Sequence, residues 1–172
     1  MRRLIFAAAV AGFAALLPSA VLASSITETV VGTEYAVGTC PNGNPSGSFA
    51  GVALASPTGP VNGFFSTTVC HTELGNTTGA TATITGGTFV LQLQTGTITG
   101  QYTGGTVGPG VVSPLYASSQ YLCKEAFPVT AQLATTAGSG SAVGQLTHIG
   151  VFGPGGSCNP FAAKISGVVM FG

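Results

Sequence analysis

Thr88-Phe89-Val90-Leu91-Gln92-Leu93-Gln94, followed by Thr95-Gly96 and then Thr97-Ile98-Thr99-Gly100-Gln101-Tyr102-Thr103, is the stretch that decides the class of fold. Phe89, Leu91 and Leu93 fall on one side of an extended chain while Gln92 and Gln94 fall on the other, because successive strand residues point to opposite faces. After the Thr95-Gly96 turn signal the pattern resumes, with Thr97, Thr99, Gln101 and Thr103 on a polar face and Ile98 and Tyr102 opposite. Two such runs joined by a tight turn read as a β-hairpin with one dry face.

The same alternation recurs on both sides of this hairpin. Segments Ile26 to Val37, Gly47 to Ala55, Gly63 to Cys70, Gln120 to Phe127, Val129 to Thr135, Ala142 to Phe152 and Phe161 to Phe171 all carry it, separated by Gly, Pro, Asn and Ser clusters. Cys40 to Gly47 and Gly104 to Pro114 read as turn-rich connectors, and Gly86-Gly87 and Gly104-Gly105 as turns. No stretch beyond residue 23 sustains a 3.6-residue period. The expected fold is all-β, a single antiparallel β-sandwich or β-barrel of about 8–10 strands with essentially no helix.

Residues 1–23 read differently. Met1-Arg2-Arg3 is a positive start, Leu4 to Leu17 is apolar apart from Gly12, and Val21-Leu22-Ala23 resembles a small-residue cleavage site. An apolar core of about 14 residues falls short of the ~20 that span a bilayer. The expectation is a cleaved signal peptide at 1–23 and one exported domain at 24–172, secreted to the periplasm, cell surface or extracellular space, with no transmembrane segment.

Charge is scarce, at 5% of residues. Both arginines lie in the leader, so beyond it Lys124 and Lys164 face Glu28, Glu34, Glu73 and Glu125, with no Asp and no Trp. Phosphate neutralisation needs clustered basic residues, which excludes nucleic acid as a partner. A nearly neutral β-surface also has little Coulomb repulsion to keep copies apart, which points towards self-association or contact with another surface protein.

Cys40, Cys70, Cys123 and Cys158 are spaced by 30, 53 and 35 residues, unlike the close pairs of structural zinc sites. An even count in an exported chain reads as two disulfides. Three connectivities are open, and Cys40–Cys70 with Cys123–Cys158 is favoured because each closes a modest loop.

Titratable groups for chemistry are few. The nucleophile-elbow spacing G-x-S-x-G is absent, and without Asp a Ser-His-Asp triad cannot be written. Glu28 and Glu34 read as the solvated face of an edge-like first strand. His71 and Glu73, at i and i+2, could share a side of a strand and with His148 form a metal site, or with Glu125 an acid–base site. The favoured reading makes His71 and Glu73 an exposed polar pair beside a disulfide and His148 a hydrogen-bonded residue on an apolar face, with no catalytic residue, metal or cofactor.

The segment Phe161 to Phe171 resembles the C-terminal strand of chaperone–usher pilins, with alternating apolar residues and a penultimate aromatic. The likeness is confined to that segment: two disulfides replace one, and no clean donor strand precedes Cys40. A last strand of this kind is either paired or offers an adhesive sheet edge. Length also suits an outer-membrane barrel, but charged lumen positions and aromatic girdles are missing. The leading expectation is a non-enzymatic structural or adhesive surface protein. The alternative is a barrel resembling lipocalins in outline that holds a small apolar ligand. An enzyme using His71, Glu73 and Glu125 is the third.

Overall fold

The computed structural model describes residues 25–74, 79–118 and 120–172; the signal-peptide reading of 1–23 lies outside them. Nine strands follow one another: β1 (Ile26–Thr39), β2 (Pro45–Leu54), β3 (Val61–His71), β4 (Ala82–Leu93), β5 (Gly96–Val107), β6 (Val111–Pro114), β7 (Leu122–Thr135), β8 (Gly138–Phe152) and β9 (Cys158–Phe171). Every pairing is antiparallel and each strand lies beside the next, except that β5 pairs with β7 and not with β6, and β9 returns to pair with β1. The barrel so closed has eight strands, with β6 extending the line of β5 along the first half of β7. Of the two architectures expected, the structure is the barrel. The quoted hairpin is β4–β5, turning at Gln94-Thr95.

Closure has a consequence for the adhesive reading. β1 is hydrogen-bonded to both β2 and β9, so it is not the edge strand expected, and β9 is hydrogen-bonded to both β1 and β8, so of the two readings of the last strand the paired one holds. Followed through the pairings around the circumference, the register returns to β1 displaced by about ten residues, the stagger that tilted strands in a closed barrel require.

Three local readings are corrected. Gly86-Gly87 and Gly104-Gly105 are not turns: they interrupt β4 and β5 where the ladder breaks between Thr83/Thr106 and Thr88/Gln101. Gly87 has φ +126°, and a Cβ there would lie 2.0 Å from the Thr68 carbonyl oxygen, so only glycine lets β4 pass β3 at this point. The break lets both Ile84 and Phe89 face inward although their numbers differ in parity. Gly104 to Pro114 is not a plain connector, since it holds the end of β5 and all of β6. The two segments expected on either side of Pro128 are one strand, β7. Pro128 is tolerated because its backbone faces the junction of β5 and β6, where its carbonyl accepts from Gly108 N at 2.8 Å and no ladder donor is demanded.

The interior is graded along its axis. In the half nearest the β4–β5 turn, Phe49, Phe65, Phe89, Leu91, Leu133 and Phe171 fill it. In the other half most inward positions carry smaller groups, among them Gly47, Val69, Val107, Ala131, Ala142 and Ala163, with Ile84 and Phe127 the larger side chains. Tyr102, Ala142 and Leu146 touch both clusters and mark the boundary.

Candidate functional site

Small inward side chains cannot fill a barrel of this stagger, and a cavity of about 420 Å³ results. It opens at the end of the barrel where β1 and β3 finish and β7 and β9 begin. Its walls are Phe49, Val69, Ile84, Val107, Val129, Ala131, Ala142, Leu146, Ala163 and Ile165, and its rim carries Val37, Pro160 and Phe161. The rim side chains are open to solvent, Phe161 at 66% and Val37 at 79%.

Both disulfides sit at this end. Cys40 at the end of β1 is bonded to Cys70 in β3, and Cys123 in β7 to Cys158 at the start of β9. They tie together the strand ends that have the least packed interior between them. No described cysteine is free.

Few polar groups reach the cavity. Tyr102, from β5, is buried on its inner side; its phenol donates to Thr67 Oγ1 at 2.8 Å, and Thr67 in turn donates to the Thr88 carbonyl at 2.8 Å. Burial pushes the Tyr102 phenol up to about 12, against a smaller opposing effect of the Thr67 bond. Glu34, half-buried on β1, aims at the cavity over Gly47: a Cβ on that glycine would stand 2.6 Å from Glu34 Oε1. Burial holds its carboxyl above the ordinary carboxylate value.

His71 and His148 line the cavity from β3 and β8. His71 Nδ1 bonds the Thr72 carbonyl oxygen at 2.8 Å. His148 makes no hydrogen bond among the described residues; its ring meets Phe127 edge-on at 5.1 Å between centroids. Burial lowers the His148 pKa, and the nearby charge of His71 lowers it further. Glu125 pairs directly with His148 across β7 and β8, in the buried row of Cys123 and Phe127, and burial raises its pKa. Gly110 makes room for it, since a Cβ there would fall 2.7 Å from Glu125 Oε1.

The expected site residues are therefore divided. His71 and His148 share the cavity, Glu125 stands beside His148 on the neighbouring strand without lining the cavity, and Glu73 is exposed past the end of β3, where strand alternation with His71 no longer applies. Among the described residues no three His, Cys, Asp or Glu side chains gather as a metal site. His71 is not half of an exposed pair, and the contact of His148 is an aromatic ring and not a hydrogen bond. Glu28 and Glu34 are not a solvated edge face, because closure turns that side of β1 inward. Glu28 is 5% exposed at the packed end, where Asn62 Nδ2 donates to its Oε1 at 2.6 Å and its Oε2 has no partner among the described residues.

No family model, curated protein or solved structure matches this chain. The cavity therefore has to be read from its own residues. Among those described, no helix is long and apolar enough to cross a membrane. Glu34 and Tyr102 were not singled out from the sequence as site residues. The signal for them was there in the exchange of Phe and Leu for Ala and Gly at inward positions, which marks where a barrel becomes hollow.

Proposed function

We propose that this protein binds a compact, largely apolar small molecule in the open half of its barrel and acts outside the cytoplasm. One observation carries the reading: a cavity of about 420 Å³, apolar on its walls, with a few polar groups at defined places. That is the usual make-up of a ligand site, where apolar surface supplies affinity and isolated polar groups supply orientation. The paired cysteines support an oxidising compartment. The enzymatic reading has less support, since Glu73 stands apart from His71, His148 and Glu125.

The test is fluorescence titration with N-phenyl-1-naphthylamine. Saturable enhancement at one probe per chain, abolished by Ala142→Phe with Ala163→Leu while the β circular-dichroism signal persists, supports the proposal. Absence of saturable binding by the wild type overturns it.

A structural or adhesive role is a second reading, favoured by exposed Val31 and Phe64, which belong with Val52 to one transverse row across β1, β2 and β3. Light scattering would support it if Phe64→Lys dissolves an oligomer, and a wild type that is monomeric at all concentrations would remove it.

A further inference from the structure

The hydrogen-bonding character of the cavity narrows the chemistry of its occupant, granted the ligand-binding reading above. The single phenolic hydrogen of Tyr102 is engaged, because Thr67 uses its own hydrogen on the Thr88 carbonyl and can only accept from Tyr102. Towards the cavity the Tyr102 oxygen is an acceptor. The Thr72 carbonyl can only accept, so His71 Nδ1 carries a proton, and Nε2 is the ring nitrogen that accepts in that tautomer. Glu34 adds a carboxylate that receives no hydrogen bond from any described residue. Against these acceptors stand, among the described side chains, one N–H of neutral His148 and the hydroxyl of Ser46, which works either way.

Charge points in the same direction. Among the described residues no Lys or Arg lines the cavity, and Lys124 and Lys164 both lie exposed. An anionic head would meet Glu34 with no cation to answer it, in surroundings where an uncompensated charge is expensive. A donor head, and best a protonated amine, would satisfy the acceptors and pair with the carboxylate.

We infer that the cavity takes an apolar molecule bearing a hydrogen-bond-donating head, a primary amine before an alcohol, and discriminates against a carboxylate. Glu34 and His71 Nε2 are the receiving groups, and Gly47 is the gap that lets Glu34 reach in.

Displacement of N-phenyl-1-naphthylamine by decylamine, decanol and decanoate at pH 7.5, below their critical aggregation concentrations, separates the possibilities. The expected order is decylamine, then decanol, then decanoate, with about tenfold or more between the first and last, as a charge-assisted bond implies. Glu34→Gln should reduce decylamine to the level of decanol and raise decanoate. Gly47→Ala, whose Cβ would meet the flexible end of Glu34 at 2.6 Å and the Phe49 ring at 2.9 Å, should weaken decylamine more than decanol. Equal binding of all three, a preference for decanoate, or a preference untouched by Glu34→Gln overturns the inference while leaving the cavity as a ligand site. If nothing binds, including the fluorescent probe, both fall together.

Discussion

Tyr102 and Thr67 meet in the centre of the barrel, phenol oxygen to hydroxyl oxygen at 2.8 Å, and the Thr67 hydrogen continues to the carbonyl of Thr88. The two side chains are not equivalent partners. Tyr102→Phe removes one bond but leaves Thr67 its acceptor at Thr88, so a loss of about 1 kcal/mol is expected. Thr67→Val strands both the phenol and the Thr88 carbonyl and should lose about 2–3 kcal/mol. Urea unfolding of the two variants checks the order. Absorbance at 295 nm adds a direct reading: one tyrosine should ionise only near pH 12, and that step should be missing from Tyr102→Phe.

The pH dependence of stability has two parts with opposite sign. His148 holds its proton less tightly in the barrel than in the unfolded chain, because of burial first and the charge of His71 second. The unfolded chain then binds more protons as the pH falls below about 6.5, and stability that is present above that value is lost. Glu34 and Glu125, raised by burial, contribute stability at low pH that is lost as the pH climbs through their raised values. Thermal midpoints should therefore fall less steeply on acidification in His148→Gln than in the wild type. Glu34→Gln and Glu125→Gln should each gain on the wild type at neutral pH.

Each disulfide closes a loop of some thirty residues, with separations of 30 and 35. In the chain-entropy description, losing either lowers the unfolding free energy by about 3–4 kcal/mol. The position of the bonds makes the prediction more specific. Cys40→Ser with Cys70→Ser should raise amide exchange at the cavity ends of β1 and β3 well before it reaches the β4–β5 turn.

At the opposite end Asn62 is the single described donor to Glu28, whose other oxygen is buried without a partner. Asn62→Ala leaves the whole carboxyl unanswered and should lose about 2–3 kcal/mol or more. Replacing both, with Asn62→Leu and Glu28→Leu, should recover much of that loss, because nothing polar is then left in the packed half. Denaturant midpoints of the single and double variants decide it.

The all-β class, the β4–β5 hairpin and the cysteine partners of adjacent number were legible because they rest on local alternation and on spacing. Barrel closure was not, since nothing local in Phe161 to Phe171 says that its free side will be taken by Ile26 to Thr33. Pro128 and the two glycine pairs misled for a related reason: each looks like punctuation until the neighbouring strand shows that its missing donor or missing Cβ is what the pairing needs. The site was the least legible part. Glu34, Tyr102, His71 and His148 come from four different strands, and only the stagger of the barrel carries them to one opening.

The gradation from Phe and Leu at one end to Ala and Gly at the other separates container from contents. Strand pairing is made by the backbone and does not depend on whether position 131, 142 or 163 carries one carbon or several. The capacity of the vessel is thus written in a few methyl groups that the scaffold does not use. Lineages or engineers could lengthen, shorten or reshape the guest by exchanging those residues, while the eight pairings and two cross-links stay as they are.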